Sequence, residues 1–187
     1  YTSPHTLSLH DALPISWHEV ELGDHAPRVC MAFIEISRGS RAKYEIDKES
    51  GLLYLDRVLF SSVQYPVNYG FFPRTLQADG DPLDVLVISQ ADITPHCLVQ
   101  VRVIGLMRMI DQGVMDDKVL AVAVKDSSVS HIHDISDLAP HIEKEFTHFF
   151  ETYTILENKK VTTEPFKSCE EAYKVIDDAV LLYKQHF

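Results

Sequence analysis

Short strand-like runs crowd the first two-thirds of this 187-residue chain, and turns rich in Gly, Pro and Asp separate most of them. Val29 to Ile36 (VCMAFIEI), Lys43 to Ile46, Leu52 to Phe60, Leu83 to Ile88, Cys97 to Met107 (CLVQVRVIGLM) and Val119 to Val124 read as strands. Arg38-Gly39-Ser40, Ser50-Gly51, Asp79-Gly80-Asp81-Pro82 and Gln112-Gly113 supply the turns. Runs this short cannot bury an apolar face alone, so they must close on one another. The last third offers cover of another kind. Leu138, Ile142, Phe146, Phe149 and Tyr153 recur at spacings of three and four, which predicts one amphipathic helix. A second helix opens at Ser168-Cys169-Glu170-Glu171, a capping-box pattern, and turns Ala172, Val175, Ile176, Ala179 and Tyr183 inward. The expected fold is mainly β with flanking helices (α+β): a small, closed, antiparallel-type barrel with two C-terminal helices packed outside.

With 45% hydrophobic and 24% charged residues, the composition is that of an ordinary globular chain of one domain. That domain is expected to span 17–187. Residues 1–16 hold no Lys, Arg or Gly and follow no period, so they are expected to be a non-native or disordered leader rather than part of the fold. They also lack the basic start and long apolar run of a secretory signal. No stretch approaches the ~20 apolar residues of a membrane helix. Three widely spaced cysteines, Cys30, Cys97 and Cys169, form no CxxC pair, and reduced thiols in a cytoplasmic protein are expected. The formal charge of -11 argues against a nucleic-acid partner. An acidic chain still acts on a polyanion where metal ions invert the local field.

The carboxylates fall in patterns that make such ions a serious expectation. Asp79-Gly80-Asp81-Pro82-Leu83-Asp84 packs three acids onto a Gly/Pro turn leading into a strand, where they repel one another unless a hard, oxygen-seeking cation joins them. An EF-hand does not fit, because its position 6 would be Asp84 and its position 12 would be Gln90. A second acidic loop runs from Asp111 through Asp116 and Asp117 to Lys118, a lysine suited to a phosphate oxygen. On the early strands Glu35 shares a face with Met31 and Phe33, Lys43 shares one with Glu45, and Arg57 shares one with Leu53, Leu55 and Leu59. Charges that interrupt apolar faces are costly unless paired or bound. His131 and His133 have no acidic or thiol partner nearby in sequence and read as a solvated loop.

Taken in order, Glu35-Ile36, Lys43 to Lys48 (KYEIDK), Asp56-Arg57, Tyr65 to Gly70 (YPVNYG), Asp79 to Asp84 (DGDPLD), Met109 to Gly113 (MIDQG) through Lys118, and His148 to Tyr153 (HFFETY) resemble family I soluble inorganic pyrophosphatases. The likeness covers essentially all of 17–187, and its wording is closest to the plant-type branch. The resemblance implies an OB-like five-stranded barrel, several Mg2+ ions, and hydrolysis of pyrophosphate to two phosphates. It implies that Asp79, Asp84 and Asp116 hold the tightest metal and that Asp84 bridges to a second, with the attacking water between them. Asp81 would accept that water's proton as general base. Asp111 and Asp116 would hold a metal that arrives with substrate, and Glu45 a further one. Glu35 would orient the site, with Tyr65 supporting it. Lys43, Arg57, Tyr69, Lys118 and Tyr153 would grip phosphate oxygens. His148 lies in the block that packs between subunits in the bacterial branch, so a homo-oligomer is implied.

Other functions fit the residues less well. An OB-type binding module uses a basic groove with exposed aromatics, and a nucleotide hydrolase uses a GxxxxGK[ST] loop; this chain is acidic and carries no such loop. One departure from the family stands out. Tyr153 is followed by Thr154, where the family has lysine, and Lys159 or Lys160 is then the candidate to hold the leaving phosphate. A chain starting at Trp17 is expected to melt within about two degrees of the full chain in calorimetry, whereas a drop of about five degrees or more would mean that residues 1–16 pack on the domain.

Overall fold

A computed structural model describes residues 17–48 and 50–187. The leader expected at 1–16 lies outside the described residues. Ten strands and two α-helices follow in order: β1 (Val29–Ile36), β2 (Ala42–Ile46), β3 (Leu53–Val58), β4 (Asn68–Phe71), β5 (Asp84–Ile88), β6 (Cys97–Met107), β7 (Met109–Asp111), β8 (Val114–Met115), β9 (Lys118–Ala123), α1 (Pro140–Thr152), β10 (Val161–Thr163) and α2 (Cys169–His186).

Five of the strands close into the expected barrel, in the order β1-β4-β5-β9-β6. Strand alternation divides their apolar residues between two cores. Val85, Val87, Val119 and Ala121 join Ala172, Ile176 and Ala179 of α2 in one. Leu86, Leu120 and Val122 join Phe146, Phe149 and Phe150 of α1 in the other. Each of those phenylalanines is at most 3% exposed, and such burial contributes about 1.5–3 kcal/mol per side chain. Ile142 and Tyr153 of the expected stripe pack against the same core, as does Leu138, which precedes the helix.

The barrel is not antiparallel throughout. β5 and β9 run parallel, with Asp84 opposite Lys118 and Leu86 opposite Leu120. A parallel pair needs a long crossover. Here β6, β7 and β8 all lie between the two strands in sequence. β2 and β3 stand outside the barrel as a two-stranded ribbon, so of the leucines on the face of Arg57, Leu55 is 53% exposed while Leu53 and Leu59 pack on the cores at either side. Ser168 makes no side-chain cap at the start of α2. The capping box occurs instead at Asp134 and Asp137, around a short 3-10 turn, and α1 begins with Pro140 in its first turn.

β4 was hidden in the sequence by Gly70, a strand-weakening residue whose presence has a steric cause. Gly70 pairs with Ile34, and a Cβ there would fall 1.8 Å from the Phe33 carbonyl oxygen. Asn68, at the start of the strand, is fully buried and satisfied. Its Oδ1 accepts from the Arg38 and Ile93 amides, and its Nδ2 donates to the Val87 and Ala91 carbonyls. The short hairpin β7–β8 turns at Gln112-Gly113, both with positive φ (49° and 89°), as a two-residue turn between twisted strands requires. Gly70→Ala must push β1 from β4 and is expected to lower stability by about 3 kcal/mol or more in urea unfolding. A change within about 0.5 kcal/mol would show that the strands separate freely.

Candidate active site

The parallel register of β5 and β9 sets two opposite charges side by side. Lys118, at the start of β9, is 2% exposed. Its Nζ lies 2.7 Å from Asp84 Oδ2 and 2.9 Å from Asp116 Oδ1. Burial alone would favour the neutral amine, but Asp116 and Asp84 outweigh it and hold the ammonium protonated above the ordinary lysine range. The Tyr69 hydroxyl donates to Asp84 Oδ2 and lies 3.2 Å from Lys118 Nζ. Burial, then Asp84, pushes that phenol well above its usual pKa, so it keeps its proton. Asp84 is itself raised by burial, against the pull of Lys118 and with the push of Asp116.

The acidic loop before β5 is folded by its own groups. Gly80 takes φ 89°, and the Asp81 amide donates to Asp79 Oδ1 at 3.0 Å. Burial raises the Asp79 carboxyl despite that donor. Asp81 stands at the rim, its side chain 60% exposed, with Oδ1 2.5 Å from Lys48 Nζ. Across the cavity, Asp111 ends β7, and its Oδ1 is buried without a hydrogen-bond partner.

The β2–β3 ribbon supplies the opposite wall. Lys43 Nζ lies 2.5 Å from Glu45 Oε1 and 3.6 Å from Asp56. Burial would lower the Lys43 pKa, yet the Glu45 partner outweighs it and the value rises. Tyr54 donates to the other Glu45 oxygen at 2.6 Å. Arg57 donates to Asp56 and, through Nε, to Glu157 at 2.9 Å. Glu35 ties the ribbon to the barrel by accepting the Ile46 amide at 2.8 Å. Beneath lie Tyr65 and Phe149, ring centroids 4.9 Å apart, and Phe149 stacks on Tyr153.

Most of these groups face one open cavity of about 260 Å3. Glu35, Lys43, Glu45, Arg57, Tyr65, Tyr69, Asp79, Asp81, Asp84, Asp111, Asp116, Lys118 and Tyr153 line it, whereas Asp117 of the second acidic loop does not. Sequence reasoning missed Lys48 and Gln77 on the lining and Asp56, Tyr54 and Glu157 behind it. Asp56, beside Arg57, and Lys48, at the end of KYEIDK, carried a signal, since each stands in a matched block. Of the candidates after Tyr153, Lys159 lines the cavity, and the Lys160 carbonyl accepts the Gln112 amide. Thr154 is 1% exposed and its hydroxyl is buried without a partner. His131 and His133 are exposed, as expected of a loop.

Among the described residues, no three carboxylates converge on a single point. The donor set nevertheless suits a hard cation. It is all oxygen, it contains carboxylates that burial and mutual repulsion make unfavourable as bare charges, and Asp111, a lining residue, has a buried Oδ1 without a partner.

Known proteins are similar to this chain in both sequence and architecture. The family model described as inorganic pyrophosphatase matches residues 32–184. Soluble inorganic pyrophosphatase 3 of Arabidopsis thaliana is 48% identical over 181 residues, 97% of this chain and 84% of the relative. Soluble inorganic pyrophosphatase 2 of Chlamydomonas reinhardtii is 47% identical over 171 residues, 91% and 89% respectively. The crystal structure of inorganic pyrophosphatase from Thermus thermophilus superposes with a TM-score of 0.87 at 40% identity, covering 90% of this chain and 99% of that one. The Helicobacter pylori inorganic pyrophosphatase gives 0.85 at 42% identity, covering 89% and 99%.

Glu35 makes the electrostatics of this site measurable. Its side chain is buried and its pKa is pushed up to about 8 from 4.5, by burial first and then by Asp84. Between those values the folded state keeps a proton that the unfolded state releases, so stability must fall as pH rises through the window. In metal-free buffer, the wild-type protein is expected to lose more stability from about pH 4.5 to about pH 8 than Glu35→Gln, read from urea unfolding at a series of pH values. Parallel curves for the two would show that Glu35 is ionised in the fold.

Proposed function

Because the chain belongs to the inorganic pyrophosphatase family, we propose that it hydrolyses inorganic pyrophosphate to two phosphates, with several Mg2+ ions and with Asp81 as general base. The observation that carries this reading is the single cavity, where two acidic loops face Lys43, Arg57 and Lys118. Asp79, Asp84, Asp111, Asp116 and Glu45 are the residues that would hold the ions. When bound there, Mg2+ supplies a Lewis acid for phosphate oxygens and acidifies the attacking water.

The protein's own groups divide the remaining work. Asp81 stands at the rim, where its carboxylate reaches solvent and the incoming water, so it takes the proton that the water loses. Lys43 and Arg57 approach from the ribbon and offset charge that develops on the departing phosphate. Lys118 does the same from the barrel side. Tyr69 keeps its proton, and Tyr153, whose pKa burial raises, does likewise, so both donate to phosphate oxygens without adding negative charge. Glu35 and Tyr65 hold the ribbon and the aromatic floor in place around them.

The same reading extends to the chain's surroundings. Among the described residues no helix is long and apolar enough to cross a membrane. Three free cysteines accord with a cytoplasmic location. An apolar strip on and beside the ribbon, with Leu52, Leu55, Val58 and Phe60 each more than half exposed, supports a homo-oligomer.

Phosphate release with Mg2+ tests the substrate. Pyrophosphate is expected to be cleaved at least about a hundredfold faster than ATP or p-nitrophenyl phosphate, a barrier difference of about 2.7 kcal/mol. Comparable rates would overturn the assignment. Asp81→Asn is expected to cut kcat by about 10²–10⁴ with little loss of Mg2+ affinity, whereas Asp84→Asn should weaken Mg2+ binding in calorimetry. The reverse pattern would exchange the two roles.

A further inference from the structure

One carboxylate outside every matched sequence block holds two of the cavity's cations. Glu157 ends a 3-10 turn (Ile155–Glu157), and its side chain is only 9% exposed. Its Oε1 accepts from Arg57 Nε at 2.9 Å, across 100 residues of sequence. Its Oε2 lies 3.5 Å from Lys159 Nζ. The chain returns to the cavity within two residues because Asn158 takes the left-handed conformation, φ 58°, that caps the turn. Lys159 thereby lines the cavity with Arg57 and Tyr153. Thr154, which follows Tyr153 directly, is enclosed and does not.

We propose that Lys159 is a phosphate-binding residue of this site, and that Glu157 positions it beside Arg57 so that both grip the same phosphate group. The proposal rests on the pyrophosphate reading above. A carboxylate that engages two cations through its two oxygens leaves them side by side, and two oxygens of a phosphate can be held in the same way. Glu157 is the only acid within ion-pair distance of Lys159 among the described residues. At 3.5 Å that pair is too long for a well-formed hydrogen bond, so the ammonium exchanges it readily for a phosphate oxygen. Its side chain is 36% exposed and open to an anion entering from solvent, unlike Lys118, which is sealed between Asp84 and Asp116. Glu157 also removes part of the disorder that a free lysine would lose on binding.

The test is titration calorimetry with inorganic phosphate in Mg2+ buffer, with pyrophosphate cleavage measured on the same samples. Lys159→Ala is expected to weaken phosphate binding roughly three- to thirtyfold and to raise KM in proportion, with kcat changed less and the melting temperature unchanged. Lys159→Arg should restore binding to within about threefold, since the charge returns with a similar reach. In a Glu157→Gln background the effect of Lys159→Ala should shrink by at least about half, because the tether is already gone. Phosphate affinity unchanged in Lys159→Ala, or absent in the wild type, would overturn the proposal, and full additivity with Glu157→Gln would remove the positioning role. A wild type that binds phosphate but does not cleave pyrophosphate would defeat the functional reading alone, and the affinities would still decide for or against Lys159.

Discussion

An ammonium group sealed from water is tolerable only with carboxylates against it, and Lys118 has two. Asp84 faces it from the adjacent parallel strand, and Asp116 comes from the loop that enters its own strand. Each member of the group depends on the others. Without the lysine, two half-buried acids would face each other; without either acid, the lysine would shed its proton or turn outward. The Tyr69 hydroxyl and the ring of Phe150 close the group from the sides. The parallel pairing of β5 and β9 is therefore tied to the site's chemistry. It places Asp84 and Lys118 at matching positions, and the acidic loop before β5 follows from there.

The same economy of charge extends over the rest of the cavity. Lys43 is engaged by Glu45, Lys48 by Asp81, Arg57 by Asp56 and Glu157, and Lys159 by Glu157. Around the cavity, acids and cations thus neutralise one another. On the proposed function, Glu45 and the aspartates would hold the ions, which would leave Lys43, Arg57 and Lys159 to hold phosphate. A chain of net charge -11 can then receive an anion, because most of its local acidity is spoken for when substrate arrives.

How much of this was legible in the sequence differed by the physics involved. Short β-rich runs between turns marked β1, β6 and β9, and stripes at spacings of three and four marked α1 and α2, because burial writes itself into the residue order. The site residues were legible because several motifs fell in a familiar order, and the cavity does gather them. β4 escaped because Gly70 is demanded by a neighbouring carbonyl, a contact that is not local in sequence. The parallel direction of β5 and β9 escaped for a similar reason, since strand pattern does not encode the partner's direction. Ser168 resembled a cap by residue type, yet its side chain makes no such bond. Arg57 does stand between the core residues Leu53 and Leu59, but its partners Asp56 and Glu157 could not be read from the strand pattern. Glu157 left no trace at all, for its partner Arg57 is 100 residues away.

The rim of the cavity has one further property, of practical rather than chemical interest. The chain holds a single tryptophan, Trp17, which is 3% exposed and hydrogen-bonded through Nε1 to the Thr75 carbonyl. The Lys48 ammonium stands 5.2 Å from the centre of its ring, and the same ammonium holds Asp81 and the Gly80 carbonyl. The indole is thus one side chain removed from the acidic loop. Whatever draws Asp81 away from Lys48 alters the charge above the only strong fluorophore in the molecule. The colour and intensity of its emission then report on the occupancy of the loop, in real time and without any attached dye.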